Sequence, residues 1–131
     1  MEASTVDLST LVLAKGGGAK DSGTGCVMQW TSVLAGEPWS DHPACTSPAI
    51  GAFLRSWNDD LPDDRRGILV PLIPVIIGTA TGPEDELTRA WMATDWLVRT
   101  FAPAWLRLAG LEDHATALER LDALTSDALA E

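Results

Sequence analysis

Leu87, Trp91, Thr94, Val98, Phe101 and Trp105 succeed one another at alternating steps of four and three residues. That spacing keeps all six on one stripe of an α-helix, the pattern of a helix that turns one face to a core. Thr81-x-x-Glu84, with Pro83 inside it, reads as a capping box that starts this helix. It should run over about 83–101, where Pro103 ends or kinks it, and Gly110 closes the following turn. Asp85–Arg89 and Asp95–Arg99 stand four apart and can pair on the wet side. Met92 and Trp96 fall off the stripe, so either the helix is buried on two sides or Trp96 meets something else. The helix is expected to be the central element of the fold, with Trp91, Val98, Phe101 and Trp105 mostly buried.

Prolines and glycines divide the rest of the chain into short helices. Thr24 can cap a helix over 25–35, stopped by Gly36 and Pro38. Val27, Trp30 and Leu34 share one of its faces; Cys26, Gln29 and Val33 share another. Ser47-Pro48 reads as cap and first position of a helix to about Asn58, with Ile50, Phe53, Leu54 and Trp57 inward. Ile68 to Ile77 is apolar, but Pro71 and Pro74 rule out one long helix and disfavour a strand. A last amphipathic helix runs over 113–124. Residues 15–25, with five glycines in eleven positions, read as a flexible loop. They lack the spacing of a phosphate-binding loop. The expected fold is all-α: a single compact domain of five to seven helices, irregular around Pro71 and Pro74. Residues 1–24 form an N-terminal segment with the Gly-rich loop, 25–125 the helical domain, and 126–131 a frayed tail.

The formal charge of −10 comes from 19 acids against nine scattered basic residues. Nucleic acid and anionic membranes both need clustered Lys and Arg, so neither is an expected partner. The N-terminus lacks the basic and apolar regions of a signal peptide, and Ile68 to Gly78 is too short to span a bilayer. A cytoplasmic location follows, where Cys26 and Cys45 stay reduced.

Those two cysteines fall within twenty residues of each other, together with Asp41 and His42. Three readings compete for the group. Cys26, in the first turn of a helix, could be a thiol nucleophile with His42 as base and Asp41 or Gln29 as orienter. Cys26, His42 and Cys45 could hold zinc with Asp41 or Glu37 as a fourth ligand, although the spacing fits no common zinc module. The default is structural, because Cys packs as a small hydrophobe and Asp41 can cap a turn. His114 reads as a surface residue. No metal or cofactor is expected. Gln29, Trp30, Trp39 and Trp96 are the candidate ligand-contacting residues, since the chain carries six Trp and no Tyr, and at least one of Trp39 and Trp96 should sit at a protein contact or a pocket mouth.

The segment GCVMQWTSVLAGEPWSDHPACTSPAIGAFLRSWND, with AWMATDWLVRTFAPAWLRLAGL after it, resembles a widespread set of small bacterial and phage proteins. Their shared pattern is G-x-C-x-M-E-A … A-G-E-x-x-S-D-H-P-x-C, followed by a Trp-rich helix. The resemblance spans about residues 23–111 and brings no activity with it. Gln29 stands where the pattern has Glu, and Ala19-Lys20 where a His is associated with the loop. If relatives use that Glu and His for chemistry, this chain lacks both, which favours a repurposed binder or pseudo-enzyme. The leading expectation is thus a small accessory protein that binds a partner protein or a small apolar ligand, with a homo-oligomer as one form of partnership. The alternative is an enzyme acting on a small molecule through Cys26 and His42.

Overall fold

The computed structural model describes residues 6–125; the tail 126–131 lies outside the described residues, as do the first five. The chain is predominantly helical, as the periodicity predicts. Six α-helices are described: α1 Val27–Leu34, α2 Pro48–Asp60, α3 Ile73–Ile76, α4 Pro83–Trp96, α5 Ala102–Leu108 and α6 Glu112–Glu119. One feature was not expected. Val12–Leu13 (β1) and Thr24–Gly25 (β2) pair in parallel, Val12 opposite Thr24. The described residues form two compact units, divided between Thr81 and Gly82.

In the first unit, Val27, Met28, Leu69 and Ile73 are wholly buried, joined by Leu13, Cys26, Leu54 and Ile76. The Gly-rich loop is the crossover between β1 and β2, and it is anchored rather than free. Asp59 accepts the Gly16 N–H at 2.7 Å and Gln29 accepts the Gly18 N–H at 3.0 Å. Gly18 is required here: a Cβ would lie 2.5 Å from the Thr24 carbonyl oxygen.

α2 turns a different face inward from the one expected. Gly51, Leu54 and Asn58 are its buried residues, while Phe53 is 61% exposed and stacks against the exposed Trp57. The reason is polar. The wholly buried Asn58 accepts the Val27 N–H, an orphan donor at the start of α1, at 3.1 Å. It donates to the Ala14 carbonyl at the end of β1, at 2.9 Å. Arg66, also buried, donates through Nε to the Asn58 carbonyl at 2.7 Å and through Nη2 to that of Leu61 at 2.6 Å, closing the end of α2. With Asn58 fixed inward, Phe53 and Trp57 must face out. Residues 66–72 form tight 3₁₀ turns around Pro71, and α3 begins at Ile73 with Pro74 in its first turn. This is the irregularity expected there, since Pro71 cannot take a regular α-helical position.

In the second unit, α4 starts at Gly82, whose φ of 119° only glycine adopts readily, followed by Pro83 and three acids. The Thr81 cap is therefore displaced by one residue. Leu97–Phe101 then forms a wider π-type turn, in which the Ala102 N–H bonds the Leu97 carbonyl. Such a turn relieves the clash that Pro103 would impose on a regular helix. α5 follows, and Gly110 (φ 76°) turns the chain into α6, which ends at Glu119 rather than near 124. Arg107 clamps Glu112 and Glu119 across that turn. Asp95 accepts from Arg99 at 3.0 Å and from the Leu124 N–H at 2.8 Å.

Asn58→Ala leaves the Val27 N–H and the Ala14 carbonyl buried and unpaired. Each such group costs roughly 1–3 kcal/mol. Chemical denaturation should therefore show a loss of about 2–4 kcal/mol, whereas Ser56→Ala, two residues away on the exposed face of the same helix, should stay within about 0.5 kcal/mol.

Candidate functional site

Cys26 is the N-cap of α1 itself, not a residue of its first turn. Its Sγ accepts the Gln29 N–H at 3.4 Å, and the Gln29 Oε1 accepts the Cys26 N–H at 3.0 Å. This is a capping box with a thiol in the place of the usual hydroxyl. Thr24, the expected cap, lies in β2 instead. Cys26 is only 4% exposed, and burial pushes its thiol above the ordinary value, against smaller lowering contributions from the Gln29 and Met28 N–H groups. The thiol therefore stays protonated at neutral pH.

Gln29 spends its whole amide on the same knot. Besides the Cys26 and Gly18 N–H groups, which Oε1 accepts, its Nε2 donates to the Gly18 carbonyl at 3.1 Å. The same carbonyl accepts the Trp39 indole N–H at 3.0 Å. Trp39 packs so closely on Gly25 that a Cβ there would lie 2.6 Å from its ring. Trp30 meets Trp39 edge to face, with centroids 5.5 Å apart, and its own buried indole N–H has no partner. Three of the four candidate ligand-contacting residues are thus gathered into one wall behind the Gly-rich loop. Trp96, in the second unit, is not part of it.

The segment Gly36–Cys45 is closed by its own side chains. Glu37 accepts the N–H groups of Ala44 and Cys45 at 2.6 and 2.8 Å. The Ser40 hydroxyl accepts the His42 N–H at 3.0 Å. Asp41 contacts the His42 Nδ1 at 2.7 Å, and that hydrogen bond holds its carboxyl below the usual range. Both side chains are largely exposed. Asp41 with His42 thus forms an oriented carboxylate–imidazole pair on the surface, while Cys26 is buried at the root of α1. Cys45 is half-buried, and its carbonyl accepts the Gly78 and Ala80 N–H groups. Among the described residues no three His, Cys, Asp or Glu side chains come together as a metal-binding set, so Cys26, His42 and Cys45 are not assembled for zinc.

The second unit overturns the expected core. Only Pro103 and Ala115 are buried among its described residues. Trp91 and Val98 are half-buried, but Phe101 is 40% and Trp105 60% exposed, with Leu87, Met92, Trp96, Leu97, Leu108 and Leu111 also exposed. The rings of Trp96, Phe101 and Trp105 stack in sequence, with centroids 5.2 and 6.0 Å apart. The expected core stripe does not hold: Leu87, Thr94, Phe101 and Trp105 are exposed, and this unit supplies too little apolar surface to cover them. The π-type turn adds to this, because it rotates Phe101 and Trp105 towards Trp96 and joins the residue that seemed off the stripe to those on it.

No protein-family model, curated protein or solved structure matches this chain.

Burial raises the Cys26 pKa above its unfolded value, so the neutral thiol is favoured in the fold. Its contribution to stability is fully present below about pH 8.5 and is lost as pH rises through the higher folded value. An iodoacetamide rate profile on the native protein should give an apparent pKa above that of a free thiol. Cys26→Ser should keep the cap and remove the loss of stability on the alkaline side. A profile centred below the free value would contradict the burial argument.

Proposed function

We propose that this chain is a non-catalytic binding module. Its working surface is the aromatic strip Trp96–Phe101–Trp105 with the flanking Met92, Leu97 and Leu108. The observation that carries the reading is the near-absence of buried side chains in a unit with so many exposed large hydrophobics. A contiguous apolar face of this kind on three short helices is unfavourable in water unless something covers it. Trp-rich patches are also where binding energy concentrates in protein interfaces.

Charge selects the occupant. Residues 82–125 carry eight acids and four arginines. Arg89, Arg99 and Arg107 are engaged by Glu86, Asp95, Glu112 and Glu119. The charges left over are Glu84, Asp85, Asp113 and Asp122 against Arg120, so this unit is net acidic. A second copy of the chain would bring a like-charged unit to the same face. An amphipathic helix with an apolar stripe flanked by Lys and Arg fits both features.

A Leu/Lys peptide with Leu at helical i, i+3, i+4 spacing should bind the full chain and blue-shift its tryptophan emission. Trp105→Ala together with Phe101→Ala should weaken that binding at least about tenfold. The same pair should leave the melting temperature nearly unchanged, since both rings are exposed. Equal binding of a Leu/Glu peptide, or a free protein that sediments as a dimer dissociated by the two substitutions, would overturn the reading.

A further inference from the structure

Arg55 opens onto a cavity in the first unit, and neither the capping knot nor the aromatic strip uses it. It stands on α2, half-buried. Its Nη1 donates to the Asp41 carbonyl at 3.0 Å. Among the described residues no carboxylate lies within ion-pair distance of it. Asp41, which feels the Arg55 charge, is engaged by His42, and Asp59, which lines a second small cavity together with Arg55 and Asp41, is engaged by the Gly16 N–H and the Asn58 amide. Arg55 is therefore tethered at one nitrogen, with the rest of its donor fork uncommitted.

The space beside it is a cleft of about 290 Å³. Met28, Pro43, Ala44 and Pro48 supply apolar wall, His42 stands at its edge, and no acidic residue lines it. Gly51 forms part of the floor. A Cβ there would sit 3.2 Å from Arg55 Nη1 and 3.3 Å from the Met28 methyl, so any side chain would crowd the guanidinium at the floor of the cleft. A small concave site, mostly apolar and with one or two convergent polar groups, is the usual form of a ligand pocket. In a chain of net charge −10, a cleft whose charged lining group is an arginine is a local reversal of sign.

We infer that this cleft binds a small monocarboxylic acid with an apolar body, its carboxylate on the Arg55 fork and its hydrocarbon part against the exposed Ala44 and Pro48. A planar guanidinium matches a planar carboxylate through two parallel N–H···O bonds. The size of the cleft suits a single ring or a short branched chain.

The probes are benzoate, its uncharged counterpart benzyl alcohol, and inorganic phosphate, each titrated into the full chain and followed by backbone and methionine-methyl NMR. Benzoate should shift Gly51, Arg55 and the Met28 methyl with saturation below about 10 mM. Benzyl alcohol should bind at least about tenfold more weakly. Arg55→Gln should abolish that preference while leaving benzyl alcohol binding unchanged. Arg55→Lys, which keeps the charge and loses the fork, should recover only part of it. Gly51→Ala should weaken both organic probes by filling the floor. Absence of benzoate shifts, equal binding of benzoate and benzyl alcohol, phosphate binding as tightly as benzoate, or an Arg55→Gln protein that still prefers benzoate would each overturn the assignment.

Discussion

The first unit is organised around one buried side-chain amide. Asn58 joins three segments distant in sequence: the end of β1 through the Ala14 carbonyl, the start of α1 through the Val27 N–H, and α2, on which it stands. Each of those backbone groups would otherwise be unpaired away from water, which costs more than a single hydrogen bond returns. The same contact sets the rotation of α2. It therefore decides which side chains of that helix reach the core and which, like Phe53 and Arg55, are left for the surface and the cleft. Gln29 repeats the device on a smaller scale, with one amide holding the Gly-rich loop to the root of α1.

This explains how much of the fold was legible in the sequence. Helix positions were readable because proline and glycine mark them in a local code: Pro48 and Pro83 at first turns, Gly36 and Gly110 at ends. Helix orientation was not. On α2 two stripes compete, one with Phe53 and Trp57 and one with Gly51 and Asn58, and apolar periodicity favours the first. The second prevails because an orphan donor on a helix thirty residues upstream needs an acceptor, and no local pattern encodes that. The parallel pairing of Val12–Leu13 with Thr24–Gly25 was missed for a similar reason. Two-residue strands carry no alternation, and their partner lies across a loop that reads as free chain.

The candidate site shows the same division. The residue types around Cys26, Asp41 and His42 suggested chemistry, and the sequence kept a structural reading open beside it. The geometry gives Cys26 and Gln29 a capping role and closes the Ser40–Cys45 segment with Glu37 and Ser40. Within this chain, Gln at position 29 has a local physical meaning. A carboxylate there could still accept the Cys26 and Gly18 N–H groups, but it would face the Gly18 carbonyl with no donor. Arg55 was not singled out beforehand, because an isolated arginine on an amphipathic helix reads as solvated surface. Only the three-dimensional placement of Gly51 and Met28 shows that it borders a cavity.

α4 and α5 carry the general lesson about amphipathic pattern. A stripe at helical spacing reports that a face is apolar, and nothing in the spacing reports what lies opposite. In the first unit the corresponding faces close on one another, and Val27, Leu69 and Ile73 reach full burial. In the second, α4 buries no residue and α5 buries only Pro103. The difference lies in composition as well as geometry. α6 opposes them with Ala115, Ala117 and Leu118 but otherwise with Glu, Asp, His and Thr, and its length of eight residues is too short to cover a strip that runs from Met92 to Leu108. Lengthening α6 with apolar residues would be the ordinary way to bury such a strip. The chain instead keeps a short polar helix there and concentrates three of its eight aromatic residues on the open side, an arrangement that fits a face built for association rather than for a core.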